Sequence, residues 1–195
     1  MSRWPADDRR ARDLVPRPTL FLDRDGVVVV EKDYLSRADD VELEAGVGPA
    51  LRRAREAGFQ LVGLSNQSGL GRGKFTPADL AAVMTRLDEL LAAAGCPFDA
   101  FLYCPHAPEA GCRCRKPGPG LLEEAAAMVR WEPARSWLIG DKISDVDLAV
   151  SAGLGPVLVR TGHGAVEAPR LGDRPEVLVC ADLATAVAAI LEAQP

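Results

Sequence analysis

Asp23-Arg24-Asp25-Gly26, Ser65-Asn66-Gln67-Ser68-Gly69, Cys114-Arg115-Lys116-Pro117 and Gly140-Asp141-Lys142, with Asp145 one turn later, carry residue types that could do chemistry together. Two carboxylates from separate stretches, Asp23 and Asp141, make a hard oxygen site suited to Mg²⁺. A cation there bridges to a phosphate oxygen and screens the repulsion between phosphate and carboxylate. One carboxylate can then attack phosphorus to form an acyl phosphate. A second carboxyl nearby can protonate the leaving alkoxide and later activate water. The Ser65 hydroxyl and the N–H groups of the following loop can donate to phosphoryl oxygens, and Lys116 can neutralise the charge that develops on them. The chain has only four lysines, Lys32, Lys74, Lys116 and Lys142, and two of them adjoin this set. Each stretch alone also reads as an ordinary turn. Their joint placement at strand ends points to phosphoryl transfer.

A second set is more local. Cys104, His106, Cys112 and Cys114 put three thiols and one imidazole within eleven residues, with Pro105, Pro108 and Gly111 between them. That is a Cys₃His set for a closed tetrahedral Zn²⁺ site, and with all four positions filled by protein the ion is structural. It would pin a loop that runs directly into Arg115 and Lys116. Unrelated buried thiols or a redox pair are the alternatives. Cys96 and Cys180 lie apart and read as packing residues. His163, in a glycine-flanked loop, reads as solvated.

The elements that must position these residues follow from hydropathy. Short apolar runs at Thr19–Leu22, Gln60–Leu64, Ala100–Tyr103, Trp137–Ile139, Val157–Val159 and Val177–Val179 predict strands. Between them, helical patterns cover Pro49–Ala57, Pro77–Ala94, Gly120–Arg130, Asp145–Ala152 and Leu183–Ala193. Thr76 and Asp182 stand as N-caps, and Gly58 and Gly95 as C-terminal stops. The alternation predicts an α/β fold, a parallel sheet with helices on both faces. Ligands of such sheets bind beyond the carboxyl ends of the strands, where the reactive stretches fall.

The 195 residues suit one domain, expected over residues 19–195. Met1–Pro18, with five Arg and three Asp, lacks the apolar stretch of a signal peptide and reads as a flexible extension. The net charge of −5 carries no footprint for nucleic acid or an anionic membrane. No run approaches the roughly 20 apolar residues of a membrane span. Five cysteines are too few for a disulfide scaffold, so a cytoplasmic location is expected, as is a monomer acting on a small phosphorylated substrate.

On Phe21-Leu22-Asp23-Arg24-Asp25-Gly26, then Ser65, then Lys116, then Gly140-Asp141-Lys142-x-x-Asp145, the chain resembles the haloacid dehalogenase superfamily of phosphatases over about residues 19–160. The resemblance implies a Rossmann-like sheet, with Asp23 the nucleophile and Asp25 the general acid/base. Mg²⁺ would be held by the Asp23 side chain, the Asp25 backbone carbonyl and the Asp141 side chain, with Asp145 outside that shell. The intervals before and after Ser65 leave no room for the separate cap domain that many members insert. Loops 27–40 and 104–116 must therefore shape the pocket.

The cysteine loop narrows the resemblance to the branch of heptose bisphosphate phosphatases and histidinol-phosphate phosphatases. The stretch Asn66-Gln67-Ser68-Gly69-Leu70-Gly71-Arg72-Gly73-Lys74-Phe75-Thr76 and the Lys in Gly140-Asp141-Lys142 favour the former. By that resemblance Arg115 and Lys142 recognise substrate. Glu31, Lys32, Asp33 and Tyr34 line its entrance, and Ser65, Asn66, Gln67, Ser68 and Lys116 complete the substrate site. The chain departs from the branch in three places: Val27-Val28-Val29 for Thr-Ile-Asn, Asp33 for Gly, and Ser65 for Thr. The expected reaction is Mg²⁺-dependent hydrolysis of the 7-phosphate of a heptose 1,7-bisphosphate through an aspartyl phosphate. Hydrolysis of histidinol phosphate or another small ester is the alternative. A zinc-stabilised binding protein without turnover is the alternative of a different class.

Overall fold

The computed structural model describes residues 2–4 and 15–193. Among the described residues, seven strands form one sheet: β1 (Ser2–Trp4), β2 (Thr19–Leu22), β3 (Gln60–Asn66), β4 (Ala100–Cys104), β5 (Trp137–Gly140), β6 (Gly155–Val159) and β7 (Leu178–Cys180), in the spatial order β1-β4-β3-β2-β5-β6-β7. The six strands from β2 to β7 are parallel, as the alternation predicts, and β1 adds an antiparallel edge on β4. The flexible extension expected over 1–18 falls largely outside the described residues; within it, Ser2–Trp4 is this edge strand. No helix of the described residues is long and apolar enough to cross a membrane.

Side chains alternate across the sheet with the period of two that a pleated strand imposes. In β2, Leu20 and Leu22 enter one apolar core and Phe21 the other. The first core is closed by α1 (Val47–Glu56), α3 (Pro77–Ala93) and α7 (Leu183–Glu192), the second by α4 (Gly120–Ala125) and α5 (Ile143–Ser151). α3 starts as its sequence suggests: the Thr76 hydroxyl accepts from Asp79 N–H, Asp79 Oδ2 accepts from Thr76 N–H at 2.8 Å, and Pro77 needs no partner at the first helical position. The helix expected over Gly120–Arg130 ends at Ala125. The chain turns there to set the Arg130 carbonyl 2.7 Å from Gln60 Nε2 and the Trp131 ring edge-on to Phe21.

The order of the strands decides where the site lies. From β2 the chain winds outward through β3 and β4, then returns to the other flank of β2 to lay down β5, β6 and β7. The winding direction therefore reverses between β2 and β5, which leaves a crevice beyond their carboxyl ends. Asp23 follows β2 and Asp141 follows β5.

Candidate active site

A cavity of about 220 Å³ opens at that crevice. Asp23 lines it and belongs to a floor of buried charges beneath it. Carboxylate oxygens of Asp23, Asp141 and Asp145 all lie within 4.8 Å of one another. Lys116 Nζ lies among them, 3.0 Å from Asp23 Oδ2, 2.7 Å from Asp145 Oδ1 and 2.6 Å from the Leu64 carbonyl. Its three N–H groups are thus spent on the floor. Burial works against the Lys116 charge, but Asp145 and Asp23 outweigh it and hold the ammonium above its ordinary range. Burial likewise raises the Asp23 carboxyl, but Lys116 and Lys142 pull it below its ordinary value, so the nucleophile candidate stays ionised. Burial, then the Asp23 charge, push Asp141 up. Burial pushes Asp145 up to about 6 against the pull of Lys116.

This donor set fits a hard divalent cation. It holds oxygen ligands only, the acids outnumber the one fully buried ammonium, and Asp141 Oδ1 is buried without a hydrogen-bond partner among the described residues, with Lys142 Nζ 3.5 Å away. Asp145 is spoken for: Oδ1 pairs with Lys116 and Oδ2 accepts from Lys142 N–H at 3.2 Å.

The turn after β2 brings the second acid into the cleft. Gly26 makes the turn possible, because its φ is +75° and a Cβ there would meet Asp141 Oδ2 at 2.5 Å. Asp25 does not point at the acidic floor. Arg24, fully buried, grips both of its oxygens, and Gln67 Nε2 donates to Oδ2 at 2.8 Å.

Asn66 is spent elsewhere than expected: it accepts from Lys116 N–H at 3.0 Å and donates to the Lys116 carbonyl at 3.2 Å, clasping that residue's backbone. Ser65, Gln67 and Ser68 line the cavity with it. Arg115 lines it too, and its Nη1 is buried with no hydrogen-bond partner among the described residues. Glu31, Asp33, Tyr34 and Lys142 form the rim. Lys32 does not line the cavity; its Nζ pairs with Glu42 at 3.4 Å. Asp33 and Tyr34 both have positive φ, 34° and 68°, a strained pair held in part by Asp33 N–H on Glu31 Oε1 at 3.0 Å. That backbone explains why glycine is usual at the Asp33 position. Val27, Val28 and Val29 are fully buried in the first core, so that departure adds packing and does not strip the pocket.

His163 corrects the sequence reading. It is half-exposed, but its backbone N–H donates to Asp141 Oδ2 at 2.8 Å, and Nδ1 lies 3.6 Å from that oxygen and 3.9 Å from Glu31 Oε2. The loop after β6 crosses over Gly26, where Thr161 Oγ1 donates to the Gly26 carbonyl at 2.6 Å. The glycines around His163 gave no local signal of this; the β5–β6 adjacency brings the loop over the site.

The Cys₃His set also converges. Cys104 Sγ lies 3.3 Å from Cys114 Sγ and 3.5 Å from Cys112 Sγ, Cys112 and Cys114 are 3.5 Å apart, and His106 Nδ1 is 3.2 Å from Cys114 Sγ. A tetrahedral site with Zn–S bonds of about 2.3 Å spaces its sulfurs by about 3.8 Å, near the observed values. Burial pushes the Cys104 thiol up to about 12. The loop packs on α2 (Ser68–Gly71), where a Cβ on Gly71 would meet Ala107 N at 2.5 Å. Cys96 and Cys180 are buried in the first core, apart from this set.

A HAD-hydrolase-like family model matches residues 113–186. The D-glycero-β-D-manno-heptose-1,7-bisphosphate 7-phosphatase of Escherichia coli K12 is 41% identical over 153 residues, 74% of this chain and 80% of that protein. The enzyme of that name from Pseudomonas aeruginosa is 37% identical over 180 residues, 90% of this chain and 99% of its own. The chain belongs to the heptose-1,7-bisphosphate 7-phosphatase family. A crystal structure of the D,D-heptose 1,7-bisphosphate phosphatase of B. bronchiseptica, complexed with magnesium and phosphate, superposes with a TM-score of 0.84 at 35% identity, covering 91% of this chain and 99% of that one. That family is one of phosphoric monoester hydrolases, and the carboxylate-lined crevice is where such an activity belongs in this fold.

Proposed function

We propose that this chain is a Mg²⁺-dependent phosphatase that removes the 7-phosphate of D-glycero-D-manno-heptose 1,7-bisphosphate. The observation that carries the reading is the Asp23 carboxylate, kept ionised on the cavity floor by Lys116 and Lys142, with a second acid two residues on. Asp23 attacks phosphorus while the bond to the C7 oxygen breaks, and Asp25 gives that oxygen its proton. The sugar 1-phosphate leaves an aspartyl phosphate. Asp25, now a carboxylate, takes a proton from water as the water oxygen bonds phosphorus and the Asp23–phosphorus bond breaks, releasing inorganic phosphate. Asp23, Asp141 and the Asp25 carbonyl would hold Mg²⁺, which when bound supplies positive charge to the phosphoryl oxygens. Ser65 donates to the phosphoryl group. Lys116 keeps the floor neutral enough for an anion to approach. Cys104, His106, Cys112 and Cys114 hold a structural Zn²⁺ that fixes the approach of Arg115 and Lys116.

The 1-phosphate, at the far end of the sugar, needs a cation of its own. Arg115 lines the cavity, its Nη1 has no hydrogen-bond partner among the described residues, and a planar guanidinium suits a phosphate. Purified enzyme with Mg²⁺ is assayed on the heptose bisphosphate and on histidinol phosphate. Wild type prefers the bisphosphate, and Arg115→Ala lowers kcat/KM on it about 100-fold while costing the monophosphate less than about fivefold. Preference for histidinol phosphate, or equal losses on the two, would overturn the substrate assignment.

A further inference from the structure

Gln67 is 4% exposed, and its side chain faces inward between two groups of the site. Nε2 lies 2.8 Å from Asp25 Oδ2 and 2.8 Å from Ser65 Oγ. A primary amide nitrogen has two protons and accepts nothing, and Asp25 in its ionised form, the form that takes the proton from water, only accepts. In that form the amide turns its nitrogen to Asp25, because its oxygen there would face another acceptor. With one N–H on Asp25, the other goes to Ser65 Oγ, which accepts it. The Ser65 hydroxyl proton is then left to be donated to something else, and Ser65 lines the cavity.

Arg24 completes the arrangement from the far side. Its Nε lies 2.9 Å from Asp25 Oδ1, and Nη2 lies 2.8 Å from Oδ1 and 2.9 Å from Oδ2. Nη1 is 3.9 Å from Met84 Sδ of α3, so the fork is walled in by the first core. Asp25 is thus held by a buried guanidinium on one side and the Gln67 amide on the other.

We infer that Gln67 is a positioning residue rather than a substrate ligand: one amide fixes both the carboxyl that serves the leaving oxygen and the polarity of the hydroxyl that donates to the phosphoryl group. Both of its protons are committed within the protein, so it has none to offer a sugar. The inference rests on the roles given above to Asp25 and Ser65.

The test compares kcat/KM on three esters with Mg²⁺ present: the heptose bisphosphate, phenyl phosphate and p-nitrophenyl phosphate. The two aryl esters carry no sugar, and the phenyl leaving group needs a proton more than the p-nitrophenyl one. Gln67→Met removes both donors at similar volume. It lowers kcat/KM about 100-fold on the bisphosphate, less on phenyl phosphate, and about tenfold or less on p-nitrophenyl phosphate, where little protonation is required. Gln67→Glu keeps the shape but turns an acceptor on Asp25, and it loses at least as much. A loss confined to the bisphosphate would make Gln67 a substrate ligand and overturn the inference. So would equal losses on all three esters, or wild-type rates in Gln67→Glu. A wild-type enzyme that releases phosphate from none of them would remove the phosphatase reading and this one with it.

Discussion

The cysteine loop and the carboxylate floor are both clusters of metal-ligand side chains, but they are assembled in opposite ways. Cys104, His106, Cys112 and Cys114 come from the last residue of β4 and the short loop that follows it, and nothing beyond that stretch is needed to supply the four ligands. Asp23 and the pair Asp141 and Asp145 come from distant parts of the chain and meet because β2 and β5 are neighbours at the point where the winding reverses. The first set is soft and complete, suited to holding a loop still. The second is hard and carries a buried oxygen with no hydrogen-bond partner among the described residues, suited to an ion that also touches substrate. The two regions join at Lys116. It sits two residues beyond the last cysteine, and its ammonium lies between Asp23 and Asp145. The loop thus delivers the cation that makes three neighbouring acids tolerable, and a closed metal site is a rigid way to deliver it.

The largest expected effect separates chemistry from scaffold. Asp23→Asn removes the attacking oxygen and a ligand of the floor. Turnover drops at least about 10³-fold, while the thermal midpoint changes by only a few degrees, since Lys116 keeps its pair with Asp145. Sustained multiple turnover by this variant, with deamidation excluded by mass spectrometry, would sink the nucleophile assignment.

Stripping the cysteine loop should do the reverse. Elemental analysis gives about one zinc per chain. Its removal by a strong chelator lowers the thermal midpoint, exposes Cys104, Cys112 and Cys114 to a thiol reagent, and reduces kcat/KM about tenfold or more through Lys116 and Arg115. Full stability and unreactive thiols in zinc-free protein would contradict the structural role.

The smallest effect tests the seam between the regions. Asn66→Ala deletes the two hydrogen bonds that clasp the Lys116 backbone, at a cost of about 1–3 kcal/mol in stability. Zinc content stays at one per chain while kcat/KM falls severalfold. Wild-type kinetics in this variant would mean that the loop positions Lys116 without help from β3.

Where the sequence was legible, the reason was local. The strand runs ended within about two residues of their observed ends, because a buried strand must be apolar and its flanks must turn. The Cys₃His set was legible because its spacing lies within one loop. The acidic pair Asp23 and Asp141 was legible only through the rule for parallel sheets, which says where strand ends converge but not which atoms meet. Asn66, Lys32 and His163 show the limit. Asn66 turned to the Lys116 backbone, Lys32 to Glu42, and His163 came over Asp141 on a loop from β6.

By itself, then, the sequence determined the alternation of strands and helices, the reactive residue types at strand ends, and a self-contained cysteine loop. All of these depend on neighbours along the chain, through side-chain period, turn chemistry and ligand spacing. Tertiary structure alone decided that Arg24 and Gln67 would hold Asp25 between them, that Lys116 would spend its protons on Leu64, Asp23 and Asp145, and that Arg115 would keep a guanidinium nitrogen without a hydrogen-bond partner among the described residues. Hydrogen bonds and ion pairs act over a few ångströms. Their partners are set by which strands lie side by side in the sheet, and that adjacency is a property of the packed chain as a whole.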